Sequence, residues 1–327
     1  MRIGLIGLGN LGTAVGNMIA RNGYEVLGWE YQAAIVEEIN SRHTNTRYLE
    51  GVALDEKLVA TGELTAVVQE CALIFIAIPS LFIGPTLEPV RKAAPEETIF
   101  VNMAKGIDKQ TGLTSFQTLA GLLPHNRRIM LSGPSVANEF ARGLPTVVIL
   151  GGEDRSDLLH VAQILDNDHF RTRFSDDAIG VELGGILKNI YAIGLGLFDG
   201  QDIKSINFRA VYLTLALEEM ARIGVGMGAK VETFLYLAGI GDLLATSLSA
   251  HSHNRHLGER LAQGMALEAV RAEMGVLPEG YNTLKAVLYI AEKLHLSAPL
   301  AKGLWDVING RLQAQQFISA FIRNFVE

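Results

Sequence analysis

The run Gly7-Leu8-Gly9-Asn10-Leu11-Gly12 constrains this chain more than any other feature, because of where it stands. It follows the apolar run Ile3–Ile6 and opens a segment, Leu11–Arg21, with helical spacing. In a strand–turn–helix setting each glycine has a task. Gly7 permits the tight turn, Gly9 lets backbone N–H groups approach a pyrophosphate, and Gly12 lets helix and strand pack closely. Asn10 and Leu11 lie in the same loop and join the candidate contacts. Eighteen residues beyond Gly12, Glu30 closes a second apolar run, Tyr24–Trp29. A carboxylate there accepts hydrogen bonds from an adenosine ribose and repels a 2′-phosphate. The pattern predicts a dinucleotide site that favours NAD over NADP. A solvated strand-end glutamate stays open as a reading, since Arg47 or another base can still neutralise a phosphate.

The rest of the first half fits that start. Apolar runs recur at Leu73–Ile78, Thr98–Asn102, Ile129–Leu131 and Thr146–Leu150, with helix-compatible segments such as Ala33–Ser41 among them. Such alternation predicts a doubly wound, mostly parallel α/β sheet, a Rossmann-like domain. After about Asp177 the β-branched runs stop. Helical spacing takes over at Ile179–Phe198, Phe208–Ile223, Leu257–Met274, Thr283–Leu294 and Pro299–Asn309, which predicts an all-α C-terminal domain. A chain of 327 residues is long enough for two cores. We place the boundary near 178: a dinucleotide-binding domain over 1–178 and a helical substrate and dimerisation domain over 179–327.

Bulk properties narrow the partners. A net charge of −7 and a pI near 5.7 argue against a general nucleic-acid binder, which needs clustered Lys and Arg. Any phosphate bound here must be met locally. Cys71 is the sole cysteine, so neither an intrachain disulfide nor a Cys-rich zinc site is available, which suits a reducing, cytoplasmic setting. Met1 reads as the beginning of a strand, without a signal-peptide pattern. The uncharged stretch Cys71–Leu87 contains Pro79 and Pro85 and reads as a strand and loop; no membrane insertion is expected.

Further motifs follow in one order: Asn45-Thr46-Arg47-Tyr48-Leu49, Ile78-Pro79-Ser80, Asn102-Met103-Ala104-Lys105-Gly106, Ser132-Gly133-Pro134-Ser135, the segment from Gly180-Val181-Glu182 through Lys188-Asn189, Gly239-Ile240-Gly241-Asp242-Leu243, and Glu279-Gly280. Together with the glycine loop they resemble the NAD(P)-dependent glycerol-3-phosphate dehydrogenase family over nearly the whole chain. The resemblance implies reversible reduction of dihydroxyacetone phosphate to sn-glycerol 3-phosphate at the cleft between the domains, a step that supplies glycerophospholipid precursors. Matched position by position, it makes Lys188 the catalytic lysine and Lys105 the lysine touching both cofactor and substrate. It assigns Gly133, Ser135, Asp242, Ser252 and Asn254 to the substrate, and Ala137 and Glu279 to the cofactor. Asn189, His253 and Arg255, adjacent to matched positions, join the substrate-binding candidates.

The residues make chemical sense on their own. Hydride transfer to a ketone generates an alkoxide, which needs a proton donor and positive charge nearby, and lysine supplies both. Lys188 lies among Gly184, Gly185, Ile186, Leu187, Ile190 and Ile193. Burial disfavours a charged amine, a second cation such as Lys105 adds to that, and Asp242 opposes it and fixes the amine's position. A lysine in such a helix can also snorkel to solvent. Lys105 follows the run Thr98–Asn102, beyond the carboxyl edge where open α/β sheets bind ligands. Ser132–Ser135 offers hydroxyls and backbone N–H groups to an oxyanion, or forms an ordinary turn. Asp242 alone reads equally well as a helix cap.

Two departures from the family pattern stand out. Ser252–Arg255 normally reads Ser-Arg-Asn-Arg, and the first arginine holds the substrate phosphate; here that position is His253. Arginine grips phosphate with a permanent charge in fork geometry, whereas imidazole is largely neutral at about pH 7 unless an anion favours its charged form. We expect a KM for the phosphorylated substrate that rises between about pH 6 and 8 and falls in His253→Arg. Arg255, Asn254 or helix N-terminal amides compete for the same role. Leu215 occupies a position where the family commonly carries Arg. The stretch His251-Ser252-His253-Asn254-Arg255-His256 lacks Cys and HExxH spacing, and no metal is expected. A related β-hydroxyacid-type dehydrogenase and a non-catalytic dinucleotide-binding homologue are the competing functions. A homodimer is the expected assembly.

Overall fold

The computed structural model describes residues 1–108, 111–249 and 252–324. They divide into two compact units: Met1–Lys105 with Leu113–Glu182, and Gly106–Gly112 with Leu183–Glu327. Set beside the expected single boundary near 178, the division falls a few residues later and assigns the segment 106–112 to the second unit.

The first unit is built on one sheet of eight strands: β1 (Arg2–Ile6), β2 (Glu25–Trp29), β3 (Leu58–Thr61), β4 (Leu73–Ile76), β5 (Ile99–Asn102), β6 (Arg127–Ser132), β7 (Thr146–Gly151) and β8 (Phe170–Ser175). Their order is β3-β2-β1-β4-β5-β6-β7-β8, and every pair is parallel except β6–β7. The helices of this unit are α1 (Asn10–Arg21), α2 (Ala33–Arg42), α3 (Leu64–Glu70), α4 (Ile83–Leu87), α5 (Ser115–Leu122), α6 (Ala137–Phe140) and α7 (Arg155–Leu165).

Both faces of the sheet are covered, which is why its central strands read as continuous apolar runs. Along β4, Leu73 and Phe75 enter one core with Ile3, Leu5 and Val101, while Ile74 and Ile76 enter the other with Ile6 and Phe100. The strands missed in the sequence, β3 and β8, are the two edges. In β8, Arg171 and Arg173 alternate with Phe170, Thr172 and Phe174, because a strand with one neighbour and one wet face has no need of an unbroken apolar run. Register aligns the carboxyl ends of four strands: Ile6 pairs with Trp29 and Ile76, Ile76 with Asn102, and Asn102 with Met130. Strand order reverses between β1 and β4, the point where open α/β sheets leave a crevice.

The second unit is helical. α8 (Ala178–Gly200) runs across the boundary, and α9 (Ile206–Gly226), α10 (Val231–Phe234), α11 (Asp242–Leu248), α12 (His253–Ala262), α13 (Leu267–Met274), α14 (Glu279–Lys293), α15 (Pro299–Ile308) and α16 (Ala314–Asn324) follow. A short π-helical stretch, Leu237–Gly241, precedes α11. The single helix expected over Leu257–Met274 is two, α12 and α13, because the chain turns at Gly264 with φ +90°, a conformation glycine adopts without steric cost. Among the described residues two segments have the length and hydropathy of a membrane span. In Ala178–Gly200 most of the apolar window is buried inside the protein, and Val231–Leu248 is interrupted by the π-helical stretch and carries buried Asp242.

Candidate active site

Gly7 and Gly12 take the turn and the close packing that the spacing predicts. Gly7 has φ +99°, and a Cβ there would press on Ile78 Cγ2 at 2.6 Å. A Cβ on Gly12 would run into the Gly7 carbonyl, so only glycine lets α1 start this close to the turn. At Gly9 a Cβ would meet nothing within 4 Å. That open space lies at the start of α1, where no side chain caps the helix and no acid occupies the first turn. A helix start left uncapped beside open space fits a pyrophosphate, whose charge the N-terminal amides and helix dipole favour. The Gly7 N–H donates to the Trp29 carbonyl at 3.0 Å, which ties the loop to β2.

Other cofactor candidates of the first unit gather round this loop. Asn10 Nδ2 donates to the Tyr48 carbonyl at 2.5 Å and to Asn138 Oδ1 at 3.1 Å, so the start of α6, with Ala137, lies beside the start of α1. Leu11 packs against the core. Glu30 is buried at the end of β2, and its Oε1 accepts the Gln32 N–H at 3.1 Å. Thr13 escaped the sequence reading, and Asn45 entered it only within a motif, with no role of its own. Both are fully buried, and both donate to the Leu8 carbonyl at 2.8 Å. The Thr13 bond is local, five residues back, whereas only the return of the chain after α2 brings Asn45 to the same carbonyl.

Lys105 stands three residues past β5 and Gly133 directly past β6, along the same carboxyl edge as Gly7. Gly133 has φ +100°, and its carbonyl accepts from Ser135 Oγ at 3.0 Å. Ser132 Oγ, fully buried, has no hydrogen-bond partner among the described residues.

The turn before Lys105 is held by a buried chain of polar groups. Asn102 Oδ1 accepts the Ala104 N–H at 3.2 Å, and Asn102 Nδ2 donates to Ser115 Oγ at 2.9 Å. Ser115 Oγ lies 2.8 Å from the Ala104 carbonyl and 2.6 Å from Glu182 Oε1, which also accepts the Phe116 N–H at 2.8 Å. Ser115 has one hydrogen for two acceptors, so a proton on Glu182 completes the chain. Burial acts in that direction, pushing the Glu182 carboxyl up to about 7 against the hydrogen bonds that lower it.

In the second unit Lys188 does not snorkel. Its Nζ donates to Asp242 Oδ1 at 2.5 Å and to Thr246 Oγ1 at 2.7 Å, with side-chain exposure of 13% for Lys188 and 3% for Asp242. Thr246 was missed in the sequence, although it lies one helical turn after Asp242 on α11 and so shares its face. The close approach is made by small residues. A Cβ on Gly184 would strike the Ala238 carbonyl, and one on Gly239 the backbone of Phe234, so α8 and the π-helical stretch meet nearly backbone to backbone. Irregular helical turns of that kind recur at functional sites, where they re-aim a side chain, here Asp242.

Asn254, Gly280 and Asn189 form a second contact near Lys188. Asn254 Oδ1 accepts the Gly280 N–H at 3.0 Å, and a Cβ on Gly280 would press on the Asn189 carbonyl at 2.5 Å. Glu279 is the first residue of α14, beside Gly280. Ser252 caps α12 by accepting the Arg255 N–H at 3.3 Å, and His253 follows, exposed, as its first residue. Arg255 is otherwise committed. Its Nε and Nη2 donate to Asp199 Oδ2 at 2.9 and 2.7 Å, and its Nη1 to the Ser247 and Ser249 carbonyls, each at 2.8 Å. This guanidinium ties the end of α11 to α8, with four of its five N–H groups so engaged. Leu215 lies on α9. His251 of the histidine-rich stretch lies outside the described residues, and among those described no cluster of His, Cys, Asp or Glu is arranged to hold a metal.

Comparison with known proteins covers both units. Residues 2–157 match the family described as NAD-dependent glycerol-3-phosphate dehydrogenase N-terminus, and residues 177–319 the corresponding C-terminus. A glycerol-3-phosphate dehydrogenase [NAD(P)+] of Carboxydothermus hydrogenoformans is 36% identical over 310 residues, 94% of this chain and 92% of the relative. One from Pseudomonas aeruginosa is 37% identical over 314 residues, 96% of this chain and 92% of the relative. The crystal structure of a glycerol-3-phosphate dehydrogenase from Coxiella burnetii superimposes with a TM-score of 0.92 at 31% identity, covering 99% of each chain.

Proposed function

Since the chain belongs to the NAD-dependent glycerol-3-phosphate dehydrogenase family, we propose that it reduces dihydroxyacetone phosphate reversibly to sn-glycerol 3-phosphate, with Lys188 as the proton donor. The observation that carries the assignment to Lys188 is its ammonium, largely buried and bound to Asp242 and Thr246. An amine held in this way is oriented before substrate arrives, and orientation is a large part of what a general acid needs.

The nicotinamide, when bound, supplies the hydride to the carbonyl carbon. The chain's own residues do the rest. Lys188 Nζ gives a proton to the carbonyl oxygen as it becomes an alkoxide, and takes it back in the reverse direction. Asp242 and Thr246 hold that amine in place. Lys105 adds positive charge for cofactor and substrate. Gly133, Ser135, Asn189, Ser252, His253 and Asn254 receive the substrate, Asn254 being fixed by Gly280. Gly7, Gly9, Asn10, Leu11, Gly12, Ala137 and Glu279 receive the dinucleotide, and Glu30 favours NAD over NADP. The competing small-hydroxyacid reading is not favoured, because matches to glycerol-3-phosphate dehydrogenases span both units. The same reading makes the protein a cytoplasmic homodimer.

The test is NADH consumption with dihydroxyacetone phosphate as the sole acceptor. Lys188→Ala should lower kcat by at least about a hundredfold, the lower end of what general acid catalysis contributes. A variant within threefold of the parent, on a rough scale, removes Lys188 from the mechanism. Repeated with NADPH, kcat/KM should fall well below the NADH value; equality defeats the role of Glu30.

A further inference from the structure

The motif Asn45-Thr46-Arg47-Tyr48-Leu49 has no part in the chemistry above, yet it touches both ends of the dinucleotide site. On one side Asn45 Nδ2 donates to the Leu8 carbonyl at 2.8 Å and to Thr13 Oγ1 at 2.9 Å, and the Tyr48 carbonyl accepts from Asn10. The glycine loop and this segment are therefore one hydrogen-bonded body. On the other side the segment reaches the end of β2 through Gln32. Arg47 Nη1 donates to Gln32 Oε1 at 2.7 Å, and Gln32 Nε2 donates to the Tyr48 hydroxyl at 3.1 Å. The same Gln32 donates its backbone N–H to Glu30 at 3.1 Å. One neutral amide thus stands between a buried carboxylate and an exposed guanidinium.

Arg47 differs from Arg127, Arg209 and Arg255, each of which is paired with Asp157 or Asp199. Among the described residues Arg47 makes no ion pair; it lies over the Tyr48 ring, 5.4 Å from the centroid, and its described hydrogen bond goes to an amide oxygen. A guanidinium so placed has donors to offer a phosphate without breaking a salt bridge, and presents them in the fork geometry phosphate oxygens match. The carboxylate two residues before Gln32 opposes this, since it accepts ribose hydroxyls and repels a 2′-phosphate.

We infer that Arg47 is a latent 2′-phosphate receptor, that the Gln32 amide holds it beside the adenosine ribose, and that Glu30 alone keeps it silent. The inference rests on the cofactor reading of the glycine loop and Glu30, and deepens it. Discrimination against the phosphorylated dinucleotide is then one negative charge deep.

Equilibrium binding to the full chain tests this without turnover. The probes are NADH and NADPH, followed by nicotinamide fluorescence, with 5′-ADP and 2′,5′-ADP as competitors. In the parent protein NADH and 5′-ADP should bind, and NADPH and 2′,5′-ADP should bind far more weakly. Glu30→Gln keeps the shape and an oxygen for the Gln32 N–H, and should move the Kd ratio toward NADPH by at least about tenfold, the effect of roughly 1.4 kcal/mol. Adding Arg47→Ala to Glu30→Gln should cancel that gain. Should the double variant keep the gain, Arg47 is not the receptor; should Glu30→Gln move the ratio less than about threefold, Glu30 is not the silencer. Glu30→Ser repeats the comparison if the glutamine variant folds poorly. A parent that binds neither NADH nor 5′-ADP defeats the cofactor reading instead, an outcome distinct from the other two.

Discussion

Lys188 and His253 pose opposite questions at the residue scale. Lys188 is a charge taken largely out of water, so its partners decide whether it is usable. With Asp242 and Thr246 both within hydrogen-bond distance it is held in one place, whereas an unpartnered ammonium there would cost several kcal/mol. His253 is exposed at the first position of α12, where backbone amides favour an anion but the side chain gives less than the arginine the family carries. His253→Arg adds a permanent charge at that position. We expect KM for dihydroxyacetone phosphate to fall at least about threefold at neutral pH with kcat little changed, since a phosphate grip binds ground state and transition state alike. An unchanged or higher KM would mean that the phosphate is held elsewhere. Arg255 has little left to add, because four of its five N–H donors are spent on Asp199 and on the carbonyls of Ser247 and Ser249.

Between elements, two buried carboxyls hold joints together. Glu219 on α9 accepts the Leu300 and Ala301 N–H groups at the start of α15 and the Tyr191 hydroxyl of α8, and burial raises its pKa. Glu182 on α8 clasps the start of α5 in the same way, and burial pushes it up to about 7 from 4.5. Since the folded state binds the Glu182 proton more tightly than the unfolded chain does, its contribution is fully present below about pH 4.5 and is lost as pH rises through about 7. The full shift corresponds to about 3 kcal/mol. Glu182→Gln keeps one oxygen to accept from the Ser115 hydroxyl and the Phe116 N–H but cannot ionise. Urea unfolding at pH 5 and pH 8 should show the parent losing up to about 3 kcal/mol relative to this variant at the higher pH. A difference that does not change with pH would show that Glu182 ionises no differently in the two states. The same element-scale view explains what sequence alone could reach. The glycine loop, Glu30 and the strand-end Lys105 were legible because glycine spacing and strand periodicity are local. The roles of Asn45, Ser115 and Thr246 were not, since each depends on a partner distant in sequence.

The whole molecule consists of a mostly parallel-sheet unit carrying all the dinucleotide candidates but Glu279 and a helical unit carrying Lys188, Asp242 and Glu279. Trp29 lies in the first and Trp305 in the second, and they are the chain's two tryptophans. A Trp305→Phe variant therefore leaves Trp29 to report on the first unit. NADH at about 100 times its Kd stabilises what it binds by roughly 2.7 kcal/mol, so the transition seen by Trp29 should rise by several degrees. No rise would place the dinucleotide elsewhere. What the sequence by itself determined is whatever depends on neighbours along the chain: the α/β unit followed by helices, the glycine turn, and the acid at the end of β2. Tertiary structure alone decided which charges meet. It committed Arg255 to Asp199, set Arg47 against Gln32, split the helix at Gly264 and closed Lys188 onto Asp242 and Thr246. Electrostatic pairing acts over a few ångströms of space, and a separation of 54 positions between Lys188 and Asp242 carries no local signal of it.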